Sequence, residues 1–133
     1  MVYIKSYKEL IVWQKSIELV KEVFLLTQNF PKSEIYGITS QMRRAAISIP
    51  SNIAEAYGRG SLNYSINFYS IAYGSALELE TQLIIAEELK LQVKEKFSIA
   101  NQKLLEILKM LNVMVAKMKM RTKGKEVLVS TSI

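Results

Sequence analysis

Four long segments of this 133-residue chain carry apolar residues at alternating steps of three and four. Side chains at that spacing lie on one face of an α-helix. The pattern predicts helices over about residues 7–29, 34–58, 62–90 and 94–121. The last segment has the clearest heptad seam, which consists of Phe97, Ala100, Leu104, Ile107, Leu111, Met114 and Met118.

The other three predicted helices have stripes of their own. In the first helix the predicted core face is the Trp13 stripe, consisting of Leu10, Trp13, Ile17, Val20 and Phe24. In the second it is Ile35, Ile38, Met42, Ala45, Ile49, Ile53 and Tyr57. In the third it is Phe68, Ala72, Ala76, Leu79, Leu83 and Ala86. Serines that can cap a helix precede each of these stripes, namely Ser6 (with Glu9 in a capping box), Ser33 and Ser61.

Short connections force consecutive helices to run antiparallel. We therefore expect an all-α fold, an up-down-up-down antiparallel four-helix bundle over residues 1–121. Residues 122–133 are predicted to form a basic, flexible C-terminal tail. The first and last helices carry more apolar residues than one core needs, which favours a homo-oligomer.

The composition excludes several kinds of chemistry. The chain has no cysteine and no histidine, so it lacks disulfides, thiolate metal ligands and the commonest general base. We expect no metal and no cofactor. There is no apolar run of 18 residues and no secretory signal pattern, which indicates a cytoplasmic protein without a membrane partner.

The net charge is +6, and positive residues concentrate near the C-terminus. The segment KMKMRTKGK contains no acid. Its cations are Lys117, Lys119, Arg121, Lys123 and Lys125. Such an end is typical of proteins that bind polyanions, although a solubilising tail or a favourable interaction with the helix dipole gives the same pattern.

The segment RRAAISIPSNIAEAYGRGS, residues 43–61, places Pro50 inside the second predicted helix. An interior proline costs about 3 kcal/mol and bends the axis, so packing must compensate. Small residues around it allow a close helix contact. A polar row at steps of four, four, three and four consists of Arg44, Ser48, Asn52, Glu55 and Arg59. We expect an arginine or Asn52 in this row to meet Glu78 of the third helix.

Glu55 and Glu78 are also candidates for paired catalytic carboxylates. A helical di-metal site normally adds Glu-x-x-His pairs, and histidine is absent. We therefore predict that the chain is not an enzyme. Glu55, Glu78, Asn52, Pro50 and Trp13 are interpreted as structural residues.

Two long stretches resemble a known family. LIVWQKSIELVKEVFLLTQNFPKSEIYGITSQMRRAAISIPSNIAEAYGR and FYSIAYGSALELETQLIIAEEL closely resemble the four-helix-bundle proteins encoded within intervening sequences of bacterial 23S rRNA genes. The resemblance covers about residues 7–120, and RRAAISIPSNIAEA is its most specific part. The family usually has Glu-Gly where this chain has Glu55 and Ala56.

The resemblance implies a ring-like homopentamer without enzymatic activity. The family is similar to the accessory variability determinant proteins of diversity-generating retroelements, which are basic, bind nucleic acid and associate with a reverse transcriptase. We therefore expect a non-catalytic oligomer that binds RNA or DNA. The alternative is a protein-interaction scaffold, for example an accessory subunit of a reverse transcriptase.

Eight cations are the candidate phosphate contacts: Arg43, Arg44, Arg59, Lys117, Lys119, Arg121, Lys123 and Lys125. Arg43 and Arg44 have a competing structural role in the bundle. Phosphate contacts carry no sequence specificity, and they make affinity fall steeply with salt. A steep fall would separate nucleic-acid binding from an apolar protein interface.

Overall fold

Four α-helices pack side by side in this computed structural model, which describes residues 5–58 and 61–131, with side chains as far as residue 123. They are α1 (Ile11–Thr27), α2 (Ser40–Gly58), α3 (Leu62–Glu88) and α4 (Ser98–Thr131). Each packs against its neighbours in the order α1, α2, α3, α4, and α4 closes against α1. No strand occurs in the described part of the chain. The predicted all-α four-helix bundle is confirmed.

Shorter helical segments connect these elements. They are 3₁₀ turns at Tyr7–Glu9, Lys32–Glu34 and Lys94–Phe97, and a π-helical segment at Ile35–Thr39. The end of α4 lies beyond the position near residue 121 that the sequence predicts. None of the described helices is long and apolar enough to cross a bilayer.

The predicted faces of α3 and α4 form the core almost as the spacing indicates. On α3, every member of the stripe from Ala72 to Ala86 is buried, and Phe68 is partly buried against the core. On α4, the seam is buried from Phe97 to Leu111, and the two methionines that follow are partly buried. On α2, the middle of the stripe is buried, but Ile35 and Tyr57 at its ends are exposed.

The core face of α1 differs from the prediction. Val12, Leu19, Val23 and Leu26 are the buried apolar residues, and the Trp13 stripe lies to one side of them. Two apolar stripes compete on this helix, and periodicity cannot rank them. Because Ser16 is polar, the apolar pattern in the sequence does not identify the face of α1 that is buried. Ser16 is nevertheless fully buried, because its hydroxyl donates to the carbonyl of Trp13 at 2.7 Å.

Two of the three predicted caps form. The Ser61 hydroxyl accepts from the amide of Tyr64 at 3.3 Å at the start of α3. Ser6 accepts from Lys8 at 3.2 Å, so it caps the Tyr7–Glu9 turn rather than a long helix. The Glu9 carboxylate accepts from the amide of Lys5 at 3.1 Å, and the capping box is therefore shifted by one residue.

The predicted cap at Ser33 is wrong. Ser33 lies inside the Lys32–Glu34 turn, and that turn has no side-chain cap. The chain then enters α2 through the π-helical segment, in which Gly37 departs from helical geometry with φ −109° and ψ −119°. Because of this irregular entry, α2 begins at Ser40 rather than near residue 34.

Pro50 is buried inside α2, which continues through it as one helix. The proline has no N–H to donate to the carbonyl of Ala46 and crowds that carbonyl. Ala45 and Ala46 are both buried, and α2 makes its most extensive contact with α3. The small residues thus permit the close packing that offsets the proline. The bend expected at this position stays a prediction.

Candidate nucleic-acid interface

The polar row of α2 makes hydrogen bonds to α3, but through different partners from those predicted. The hydroxyls of Ser48 and Ser75 lie 2.7 Å apart across the two helices. The Asn52 amide nitrogen donates to the Ser48 carbonyl at 2.8 Å and to the Ser48 hydroxyl at 2.9 Å. Of the described residues in the row, neither Arg44 nor Asn52 makes the expected contact with Glu78, whose carboxylate accepts from Gln82 within α3 at 3.3 Å.

Within this network, Asn52 helps to set the register between α2 and α3. Its side chain fixes the Ser48 hydroxyl at the position where that hydroxyl meets Ser75. Half-buried polar contacts of this kind specify how two helices align. The carboxylates of Glu55 and Glu78 are exposed, and no group of three or more metal-ligating side chains occurs among the residues described.

Trp13 packs at the seam between α1 and α2. Its ring meets Tyr7 edge to face, with ring centroids 5.4 Å apart. Both residues line a shallow apolar groove that also includes Pro50. Trp13 therefore packs at the α1–α2 seam.

Arg43 is held within the bundle. Its Nε donates to the Thr27 hydroxyl at 2.9 Å, and its guanidinium lies 4.6 Å from the centroid of the Phe24 ring. The Thr27 hydroxyl in turn donates to the carbonyl of Val23 at 2.8 Å. A cation over an aromatic face contributes about 0.5–2 kcal/mol. The geometry thus gives Arg43 the structural role that competed with phosphate contact in the sequence.

Arg44 points outward, one position along the helix. It is exposed, and it lines a surface groove at the start of α2. Of the two adjacent arginines, Arg44 is the one whose geometry suits an external ligand. Arg59 lies outside the described residues.

The C-terminal part of α4 forms a second exposed cationic surface. This basic end consists of Lys117, Lys119, Arg121 and Lys123, which are all exposed. The side chain of Lys125 lies outside the described residues. On a helix, residues four apart share a face and residues two apart lie about 200° apart. The four cations therefore form two pairs on different sides of α4.

Between these two pairs lies the inward face of α4. Met118 and Thr122 are partly buried there. The cations consequently flank the apolar seam on both sides instead of forming one stripe. This arrangement suits phosphate contact from several directions and does not suit the reading of base edges.

Two ion pairs join α1 to α4 and neutralise much of the charge where these two helices meet. Lys15 contacts Glu106 at 2.5 Å, and Lys103 contacts Glu18 at 3.0 Å. Hydrogen bonding and attraction to these lysines lower the pKa of both glutamates, and the same contact raises the pKa of Lys15. No acid follows Glu106 on α4 before Lys123. The positive charge of that helix is thus densest toward its end.

The antiparallel ion pairs also fix which parts of the chain share an end of the bundle. The start of α1 lies beside the end of α4, because Lys15 pairs with Glu106 and Glu18 with Lys103. Lys5 and Lys8, which precede α1, therefore lie toward the same end of the bundle as the basic end, as an up-down-up-down bundle requires. Arg44, at the start of α2, belongs to the opposite end.

Comparisons with known proteins agree with the fold. A family model described as 23S rRNA-intervening sequence protein matches residues 8–113. The chain is also similar to a solved structure, a protein of unknown function from the S23 ribosomal protein family of Bacteroides thetaiotaomicron VPI-5482. The two are 26% identical with a TM-score of 0.73, over 80% of this chain and 96% of that one. No curated protein matches the chain. The predicted likeness to accessory variability determinant proteins stays a prediction.

Proposed function

The chain belongs to the 23S rRNA-intervening sequence protein family, and from this premise we propose that it is a non-catalytic, homo-oligomeric bundle that binds RNA or DNA. The observation that carries the proposal is the basic end of α4, four exposed cations with no acid among them. Flexible cations on a helix end contact phosphate oxygens without sequence preference. The proposed setting is the cytoplasm.

Electrostatics supports this assignment over a solvated tail. Ion pairs neutralise exposed charges between α1 and α4, whereas no acid lies among the cations of the basic end, and Glu126 is the one acid that follows Glu106 in the sequence of α4. Clustered cations raise the local concentration of a polyanion and release its counterions on binding. If these cations served only to interact with the helix dipole, they would lie in the last turn of α4. Lys117, however, lies 14 residues before Thr131.

Assembly is the second part of the proposal. The outward side of α3 exposes five large apolar side chains, Ile71, Leu77, Ile84, Ile85 and Leu89, interspersed with polar residues such as Glu78 and Glu88. A broad apolar surface on a small bundle favours association between copies. A homopentamer is the state that the family resemblance implies. In such an assembly the basic end is repeated, and several weak phosphate contacts add through effective concentration.

The test is a comparison of two variants with equal charge. In the first, Lys119, Arg121, Lys123 and Lys125 are all changed to Gln. In the control, four cations elsewhere are changed to Gln, namely Lys21, Lys90, Lys94 and Lys96, all of which are exposed. Both variants lose four positive charges, but only the first alters the end of α4.

Affinity for a single-stranded RNA is measured from about 50 to 200 mM salt. Each phosphate contact on a single strand contributes about −0.7 to the slope of log K against log salt. The first variant should therefore flatten the slope by up to about 3 per protomer that contacts the strand, and the control should change it much less. Equal losses in the two variants, or no loss in the first, would refute a specific role for the basic end.

A protein-interaction scaffold is the second candidate function. The exposed apolar face of α3 supports it, because that face could hold a partner such as a reverse transcriptase instead of another copy. Binding through this face would respond weakly to salt. Light scattering separates self-association from a free α3 face, since a monomer of 15.2 kDa would leave that face unoccupied.

A further inference from the structure

A groove at the start of α2 lies at the end of the bundle opposite the basic end. We call it the Tyr36 groove. Its lining residues are Ile35, Tyr36, Thr39, Ser40, Arg43, Arg44 and Ile47. The sequence patterns did not single out Tyr36, because it lies between two apolar-stripe positions of the predicted helix.

Among the large hydrophobic side chains of the described residues, Tyr36 is the most exposed, at 98%. The π-helical segment and the non-helical backbone at Gly37 hold it outside the regular surface of α2. Ile35 and Ile47, both about half exposed, form apolar walls of the same groove. A fully exposed aromatic ring beside apolar walls offers a flat surface on which another planar group can stack.

The charge of the groove is positive. Two arginines line it and no carboxylate does. Arg43 is engaged by Thr27 and Phe24, whereas Arg44 is exposed at the groove. The acid closest in sequence, Glu34, lies against Gly37, where its Oε2 would be 3.4 Å from an added Cβ. The groove thus combines an aromatic ring with an outward guanidinium.

We propose that the Tyr36 groove binds a nucleotide of single-stranded RNA or DNA, with the base stacked on Tyr36 and a phosphate held by Arg44. The proposal rests on the nucleic-acid binding proposed above and names the form of nucleic acid. In a duplex the bases are already stacked on each other, so an exposed tyrosine has no base face to meet. Unpaired bases do stack on aromatic side chains, and the stacking tolerates any sequence.

The charge of the groove is the reason to favour a nucleic acid over a second copy of this chain. An apolar helix face would fill the space between Ile35 and Ile47 but would bury the Arg44 guanidinium without a phosphate or carboxylate beside it. Burying an unpaired charge is costly. Docking of another copy is therefore an alternative that the test must distinguish.

The experiment compares Tyr36→Ala, Tyr36→Phe and Arg44→Gln in the full-length protein. The probes are a 12-nucleotide single-stranded RNA and a blunt RNA duplex of equal length, with affinities measured over a range of salt. The loss of one base stack should weaken single-strand binding of Tyr36→Ala by about 5- to 100-fold, with the salt slope unchanged. Tyr36→Phe keeps the ring and should bind like the parent.

Arg44→Gln should reduce the single-strand salt slope by about 0.7. Duplex affinity should be the same for the parent and Tyr36→Ala. If the parent binds the single strand and Tyr36→Ala binds it equally well, the groove proposal is wrong and the proposed function stands. If the parent binds neither probe, both proposals are wrong. If Tyr36→Ala changes the assembly state in light scattering, the groove is an interface between copies and the nucleotide proposal is overturned.

Discussion

Replacing Ala46 by Leu tests whether the small residues around Pro50 are required by packing. Ala46 has no exposed surface, and its own carbonyl is the one that the proline ring crowds. The three added carbon atoms must enter the packed core of the bundle, to which Ala46 belongs. Overpacking of this kind typically costs 1–3 kcal/mol. We therefore expect a free energy of unfolding lower by about 2 kcal/mol.

Urea unfolding, followed by circular dichroism at one fixed protein concentration, measures this loss. With a slope of about 2 kcal/mol per molar urea, the midpoint should fall by about 1 M. Ala116→Leu is the matched control, because Ala116 is exposed on α4 and the same change there should alter stability by less than about 0.5 kcal/mol. If the midpoints of the Ala46 and Ala116 variants agree with each other and with the parent, the packing argument for Pro50 fails.

Three further substitutions test other features of the fold. Lys90 follows α3 in a left-handed conformation with φ 55°, which is strained for a residue other than glycine. Lys90→Gly should therefore raise the free energy of unfolding by about 0.5–1 kcal/mol. A lower urea midpoint in this variant would show that Lys90 is not strained. The hydroxyl of Thr39 is buried without a partner, so Thr39→Val should leave the midpoint unchanged or raise it, and a loss above about 1 kcal/mol would reveal a missed hydrogen bond. Lys15 lowers the pKa of Glu106, so their pairing stabilises the fold above the ordinary pKa of 4.5 and this contribution is lost as the pH falls through the lowered value. Glu106→Gln should lower the midpoint at pH 7, with a difference that shrinks below pH 4.5; a difference that is constant with pH would exclude the ion pair as its cause.

The sequence predicted the fold best where an apolar stripe kept an unbroken heptad spacing. On α4, the seam from Phe97 to Leu111 is buried as its heptad spacing indicates. On α1, two apolar stripes were available, and the burial of Ser16 decided between them through a hydrogen bond to its own helix. Periodicity counts apolar residues and therefore cannot recognise a serine that satisfies its hydroxyl locally.

Helix ends were less predictable than helix faces. Ser61 caps α3 as its position indicates, but Ser33 does not cap α2, because the chain passes through an irregular segment at Gly37 first. A serine before an apolar stripe is therefore not sufficient for a helix cap. The backbone that precedes it must also be extended, and a single sequence does not reveal this.

The candidate site was predictable in its residue types more than in its geometry. The cations of α4 were identified from charge, and the structure adds that they lie on two sides of one continuing helix. The sequence assigned Arg44 and not Arg43 to the polar row but left both as candidates for a structural role, and in the structure Arg43 contacts Phe24 whereas Arg44 faces outward. Their roles depend on a rotation of about 100° around α2, which only the packing of the helix fixes. The sequence analysis missed Tyr36 because its exposure follows from the irregular backbone at Gly37.

The separation of the two cationic surfaces has a measurable consequence for strand length. Arg44 lies at one end of α2, and Gly58, 14 residues later, lies at the end where α4 carries Lys117 to Lys123. At 1.5 Å per residue this is roughly 20 Å. A stacked single strand, with phosphates about 3.4 Å apart along its axis, reaches both surfaces of one protomer at about six to eight nucleotides. We therefore expect affinity to rise gradually up to that length and then to increase steeply, because the second contact becomes intramolecular.

Fluorescence anisotropy with single-stranded RNAs of 4 to 16 nucleotides measures the rise. In Arg44→Gln the steep step should disappear while binding of the shortest strands to the basic end remains. A step of the same size in that variant would mean that the strand does not connect the two ends, and that each surface binds its phosphates independently.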